Sequence, residues 1–208
     1  MSALDRLACA LGRRDKVPNQ ELARELAANR DAEGIDELVA GLQSRDTCVR
    51  SDCIKALYEV GYLAPELIAG YAEEFLALLQ AKNNRLVWGG MIALSTIAAL
   101  RPEFVVARRE EIERAIDSGA VITGDAGVKA LAEAANTSER RALIAPYLLA
   151  HLETCRAKDV ASHAEKAAMA FDASSKDHFV ALLQRRMDEL TPPQQARARR
   201  VMREAEKR

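Results

Sequence analysis

Apolar and polar positions along the chain follow a helical rhythm that restarts every 37 residues. It is clearest at Ala56-Leu57, Ala93-Leu94, Ala130-Leu131 and Ala167-Ala168. In the first copy the apolar positions 49, 53, 56/57 and 60 follow the i, i+4, i+7/8, i+11 spacing of one buried helical face. The register predicts four equivalent helices over 47–61, 84–98, 121–135 and 158–172. Val49, Leu86, Thr123 and Val160 open them, and Val60, Ile97, Ala134 and Phe171 form an apolar column near their ends. Cys53, Gly90, Gly127 and Ala164 form a column of small residues, which lets two helix backbones cross closely.

A fainter helix precedes each of these, with Leu38, Phe75, Ile112 and Leu149 in register. Pro65-Glu66 and Pro102-Glu103 share a second register. Proline suits a first helical turn, where its missing N–H has no intrahelical partner, and the glutamate complements the positive helix end. Each unit is therefore a helical hairpin, and hairpins repeated at this period stack into a solenoid. The expected fold is all-α: one α-solenoid domain over 1–208, with about five to six stacked antiparallel hairpins and ten to twelve helices. Four repeats would occupy 32–172. Residues 1–31 would form an N-terminal cap hairpin, with helices over 2–12 and 18–29. Residues 173–208 would form C-terminal cap helices. There Phe179, Leu182, Leu183, Met187 and Leu190 share one face, and Thr191 precedes a last helix opened by Pro192-Pro193.

Composition agrees with this picture. The chain is 49% hydrophobic but only 4% aromatic, and alanine, the best helix former, supplies nearly one residue in five. Net charge is −1, which argues against the whole chain as a polyanion binder. The tail is nevertheless basic: residues 184–208 hold eight Arg/Lys against four acids. The four cysteines form no CxxC. Early charges and a short apolar stretch argue against a secretory leader, and no apolar run suits a membrane span, so a cytoplasmic location is expected.

Residues 35–61, IDELVAGLQSRDTCVRSDCIKALYEVG, closely resemble a HEAT-type repeat. Asp46 stands in the turn, Val49-Arg50 open the second helix, Ala56-Leu57 lie in its core face, and Gly61 closes it. The later units drift from this pattern, with Asn83, Ala120 and Ala157 in place of the aspartate. The resemblance implies a HEAT/armadillo-like solenoid whose second helices line a concave binding face; the Asp/Arg polar ladder usual between such repeats is interrupted here by those replacements and by Val87, Gly124 and Ala161 in place of Arg50.

On that face the candidate partner-binding residues are Ser51, Lys55, Trp88, Ile92, Asp125, Lys129 and Lys166. Trp88 is the only tryptophan, and residues of this kind are enriched in binding hot spots. Gly89 beside it is read as a cleared floor next to the ring. Lys55, Lys129 and Lys166 would form a cationic stripe, although Glu59 and Glu133 lie four residues after the first two. His151, Cys155, Asp159 and His163 are four apart and would resemble metal ligands on one helix. The repeat register places a helix break near 156–158, however, so they are read as incidental polar residues of a turn. No metal and no cofactor are expected.

No GxSxG, phosphate-binding glycine loop or HExxH occurs. The expected function is a non-enzymatic scaffold that binds a protein or peptide partner. The alternative is a HEAT-like DNA-base glycosylase or nucleic-acid-binding protein, with Asp125 the only acid in its column. The near-neutral charge makes nucleic acid the weaker expectation, and fold analogy alone raises a tetrapyrrole-binding lyase.

Overall fold

The computed structural model describes residues 2–207. They form twelve α-helices and no strand: α1 (Val17–Asn29), α2 (Ala32–Gly41), α3 (Thr47–Leu63), α4 (Ala72–Ala77), α5 (Asn84–Ile97), α6 (Pro102–Ala107), α7 (Arg109–Ser118), α8 (Val121–Ala134), α9 (Ser138–Thr154), α10 (Ala157–Ala167), α11 (Lys176–Arg185) and α12 (Pro192–Glu206). Among the described residues no helix is long and apolar enough to cross a membrane.

The second helices of the units make one continuous layer. α1 packs on α3, α3 on α5, α5 on α8, α8 on α10, and α10 on α12. α2, α4, α7, α9 and α11 each pack against the second helix of their own hairpin. The 37-residue columns explain both sets of contacts. Ala56, Leu57, Ala93, Leu94, Ala130, Leu131 and Ala167 are fully buried. The small-residue column is where the two helices of a hairpin cross. A Cβ on Gly90 would stand 2.6 Å from the Phe75 carbonyl oxygen, and one on Gly127 would overlap Ile116. Gly41 meets Cys53 in the same way from the opposite helix. Burying these aliphatic side chains, at about 25 cal/mol per Å² of apolar surface, is what holds such a stack together.

Helix starts follow local chemistry. The Asp46 carboxylate accepts from Cys48 N at 2.7 Å, and the Asn83 side chain accepts from Arg85 N at 2.9 Å. Asn83 therefore keeps the capping role of the aspartate it replaces. Pro102 and Pro192 stand at the first positions of α6 and α12. Thr191 precedes α12 as expected, and its N–H donates to Gln194 Oε1 at 2.9 Å.

Several expectations need correction. Residues 2–12 do not form a helix; a 3-10 turn at Leu4–Arg6 leads into further turns. Polar tethers hold this segment in place of a helical ladder. Ala8 N donates to Asn19 Oδ1, and Cys9 N donates to Asp52 Oδ2, both at 2.8 Å. Asn19 and Asp52 are wholly buried. The first helices of units two and three are broken: 3-10 turns precede α4, and Arg108 separates α6 from α7. In unit four the core residue is Leu148, fully buried, while Leu149 is half-buried, so the first-helix register slips by one. α11 stops at Arg185, short of residue 190.

The polar ladder also differs from the one usual between such repeats. Arg50 donates to the Leu42 carbonyl of its own hairpin at 3.0 Å. Exposed pairs link successive units instead: Arg30–Glu66 at 2.8 Å, Arg108–Glu73 at 3.4 Å, Arg185–Glu153 at 2.9 Å, and Arg140 with Glu103. Such pairs are worth at most about 1 kcal/mol each, so the buried columns carry the stack.

Candidate functional site

The outward face of the second-helix layer divides into two chemically distinct regions. The first lies on α3 and α5. Residues 51, 55, 58/59 and 62 follow one stripe of α3, and Trp88 begins the corresponding stripe of α5. Trp88 is half-buried, its ring centroid 6.1 Å from Tyr58. Tyr58 is buried and meets the exposed Tyr62 edge-on at 6.0 Å. Lys55 Nζ sits 4.7 Å above the Tyr58 ring and pairs with Glu59. Burial opposes the Lys55 charge, but contact with Glu59 and Tyr58 outweighs it and raises the pKa. Tyr58 and Tyr62 are not among the candidates the sequence singles out. Their spacing of seven and eleven residues from Ser51 is the signal that could have found them.

The remaining candidates are distributed unevenly. Ser51 turns its hydroxyl back to the Thr47 carbonyl at 2.7 Å. Ile92 is only 9% exposed and offers little surface. Gly89 is not a cleared floor beside Trp88: it is buried at the α3–α5 crossing, where a Cβ would stand 2.9 Å from Ile54. Close helix approach explains a residue that otherwise costs about 1 kcal/mol relative to alanine in a helix interior. The lysines do not form an open cationic stripe. Lys129 lies 3.6 Å from Glu133, and Lys166 lies 2.6 Å from Asp125.

The second region lies where α8, α9 and α10 meet. Asp125 accepts from Lys166 at 2.6 Å and from Ser162 at 3.2 Å. Burial works against its charge, but Lys166 outweighs that and lowers its pKa. Behind it a cavity of about 550 Å³ is walled in part by Gly124, His151, Thr154, Cys155, Asp159 and His163. The helix break is real: only Cys155 and Arg156 separate α9 from α10. The turn, expected to carry only incidental polar residues, folds His163 back onto His151. His151 Nε2 and His163 Nδ1 are 2.9 Å apart, and Cys155 Sγ completes a group whose three donor atoms lie within 4.8 Å of one another. Asp159 is buried beside them and held by Arg156 at 2.7 Å.

Arg186, counted with the basic tail, belongs to this region. It is 8% exposed and donates to the carbonyls of Leu152 and Cys155 at 2.8 and 2.7 Å, fixing the end of α9. Much of the other tail charge is also paired. Arg197 and Arg200 both engage Glu165. α12 buries Ala198, Val201, Met202 and Ala205 as it packs on α10 and α11.

No protein-family model matches this chain, and no curated protein does. Solved structures do. An engineered protein matches with a TM-score of 0.66 and 22% identity, covering 100% of this chain and 98% of its own. A designed armadillo repeat protein in complex with the peptide (KR)4 matches with a TM-score of 0.68 and 15% identity, over 98% and 99% of the two chains. Computationally designed armadillo repeat proteins for modular peptide recognition match with a TM-score of 0.66 and 16% identity, over 98% of each chain. At these identities the likeness is one of fold. With the helical layers and the 37-residue register, it makes this chain an α-solenoid of the HEAT/armadillo-like kind.

Proposed function

We propose that the protein is a non-enzymatic scaffold that binds a protein or peptide partner along the outward face of α3 and α5. The observation that carries this reading is the aromatic group Trp88, Tyr58 and Tyr62. In a chain with so few aromatics, three gather on two adjacent second helices, two of them reaching the surface. Large flat rings lose little rotamer entropy on binding and supply most of the energy of many interfaces. Designed armadillo proteins of the same fold include one in complex with a peptide and others made for peptide recognition, which supports a peptide-sized partner.

Lys55 and Glu59 flank the rings as a neutralised pair, so the surface favours an apolar or aromatic anchor over a strongly charged one. Nucleic acid is the weaker reading. Affinity for a phosphate backbone needs several unpaired cations along one face, whereas Lys55, Lys129, Lys166, Arg197 and Arg200 all have carboxylate partners.

The test is selection of binders from a random peptide library against the full chain, followed by affinity measurement on the wild type and Trp88→Ala. Loss of a hot-spot tryptophan should weaken binding by about 30-fold or more, the equivalent of ~2 kcal/mol. Equal affinity for a variant with wild-type circular dichroism would move the site off this face.

A further inference from the structure

Four side chains form a line through the α8–α10 junction: Asp117, His151, His163 and Asp125. His151 Nδ1 faces Asp117 Oδ1 at 4.0 Å, and His163 Nε2 faces Asp125 Oδ1 at 3.2 Å. Asp117 is itself held by the Tyr147 hydroxyl at 2.9 Å. Between the rings the two inner nitrogens are 2.9 Å apart. A neutral imidazole carries one proton. If either inner nitrogen donates to the other, that ring's outer nitrogen is left as a bare acceptor facing a carboxylate. Protons on both outer nitrogens would instead lie on the carboxylate sides of the rings, His163 Nε2 being 3.2 Å from Asp125. That tautomer leaves two inner lone pairs pointing at each other, an arrangement that requires a cation between them.

Cys155 decides which cation. Its Sγ joins the two inner nitrogens within 4.8 Å, and a sulfur is redundant for a shared proton but suits a borderline-soft metal. Arg186 reaches toward this sulfur at 3.8 Å, but burial outweighs it and pushes the Cys155 thiol up, so a metal would displace the thiol proton as it binds. His163 is 4% exposed, and its Nε2 completes no hydrogen bond. A metal on Nδ1 would fix the proton on Nε2, 3.2 Å from Asp125, where a small rotation of the ring would complete the carboxylate–histidine–metal arrangement common behind metal-bound imidazoles. Two zinc-bound nitrogens, each ~2.0–2.1 Å from the ion, stand about 3.3 Å apart in tetrahedral geometry. The rings need to separate only slightly.

We propose that His151 Nε2, Cys155 Sγ and His163 Nδ1 form a three-ligand site for a divalent metal ion of the zinc class, with its fourth position open to the cavity. The group formed by Cys9, Cys48 and Asp52 is a contrast. Both Asp52 oxygens are already engaged, one by Cys9 N and the other by Lys16.

The experiment is titration of the chelator-stripped full chain with Zn²⁺ and Co²⁺ against a chromophoric chelator. One equivalent should bind, and the Co²⁺ form should show thiolate-to-cobalt charge transfer with the intense visible bands of a four-coordinate site. Cys155→Ser should remove the charge-transfer band while leaving the fold intact by circular dichroism. Asp125→Asn should weaken binding by about 10–100-fold, and Cys48→Ser should change nothing. The proposal is overturned if the wild type shows no charge transfer, if the band survives in Cys155→Ser, or if Cys48→Ser removes it.

Discussion

The α3–α5 surface and the α8–α10 junction occupy the same register of the repeat and carry opposite chemistry. In the column that runs Ser51, Trp88, Asp125, Ser162, the tryptophan joins two tyrosines, whereas the aspartate joins a serine and a lysine. In the next column, Asp52, Gly89, Ala126 and His163 are all turned inward. Asp52 tethers the N-terminal turns, Gly89 lets α5 approach Ile54, and His163 meets His151. The repeat thus determines which positions face a neighbour and which face outward. The residue placed there determines whether the position holds a helix crossing, an apolar surface or a polar pocket.

If the two regions share one scaffold, equivalent core truncations should cost the same in both. Leu94→Ala and Leu131→Ala each remove a fully buried side chain from the same column. Each should cost about 2–5 kcal/mol in urea unfolding, with similar losses. A much smaller loss at Leu131 would show that the two halves unfold separately.

Acid should separate the regions. In metal-free protein the folded-state pKa of His163 is about 4, set by burial and then by His151, with Asp125 and Asp159 opposing and Lys166 assisting. The unfolded value is ~6.5. The unfolded chain therefore binds more protons between these values, and stability present above about pH 6.5 is lost as pH falls toward 4. The shift corresponds to roughly 3 kcal/mol. The difference in melting midpoint between wild type and His163→Gln should change across this window. A constant difference would mean that His163 is not held neutral.

Helix crossings offer a smaller lever. Gly127→Leu should overpack α7 against α8 and cost about 1–3 kcal/mol. An unchanged melting midpoint would contradict the role of the small-residue column. The smallest effects belong to the surface lysines. Lys129→Ala should change stability by less than about 1 kcal/mol, because it removes one partly exposed ion pair, and Lys55→Ala by about 1 kcal/mol, because it also removes the contact with the Tyr58 ring.

The sequence showed most of the second-helix layer, because one buried face repeated in four helices leaves a periodic mark that drift in individual residues does not erase. The first helices were harder to read. Their apolar stripe is interrupted at Arg108 and slips to Leu148, and periodicity averages over such breaks. The N-terminal turns were misread as a helix because their hydrogen bonds go to Asn19 and Asp52, partners 11 and 43 residues away. The polar junction was half legible. The spacing of His151, Cys155, Asp159 and His163 is visible in the sequence, and so is the helix break between them, but the repeat register makes them look like incidental polar residues of a turn. They converge because a two-residue turn reverses the chain, and no local period encodes that return. Trp88 stood out by its rarity, whereas Tyr58 and Tyr62 were hidden among positions that looked like ordinary core and helix end.

If the aromatic face of α3 and α5 receives the partner, the chain carries its own probe for the event. Trp88 is the single tryptophan, so its emission reports on that face alone. Titration of library-selected peptides into the wild-type protein should give a saturable shift in Trp88 emission, with a midpoint equal to the Kd measured independently. Tight binding that leaves Trp88 emission unchanged would place the partner away from this face.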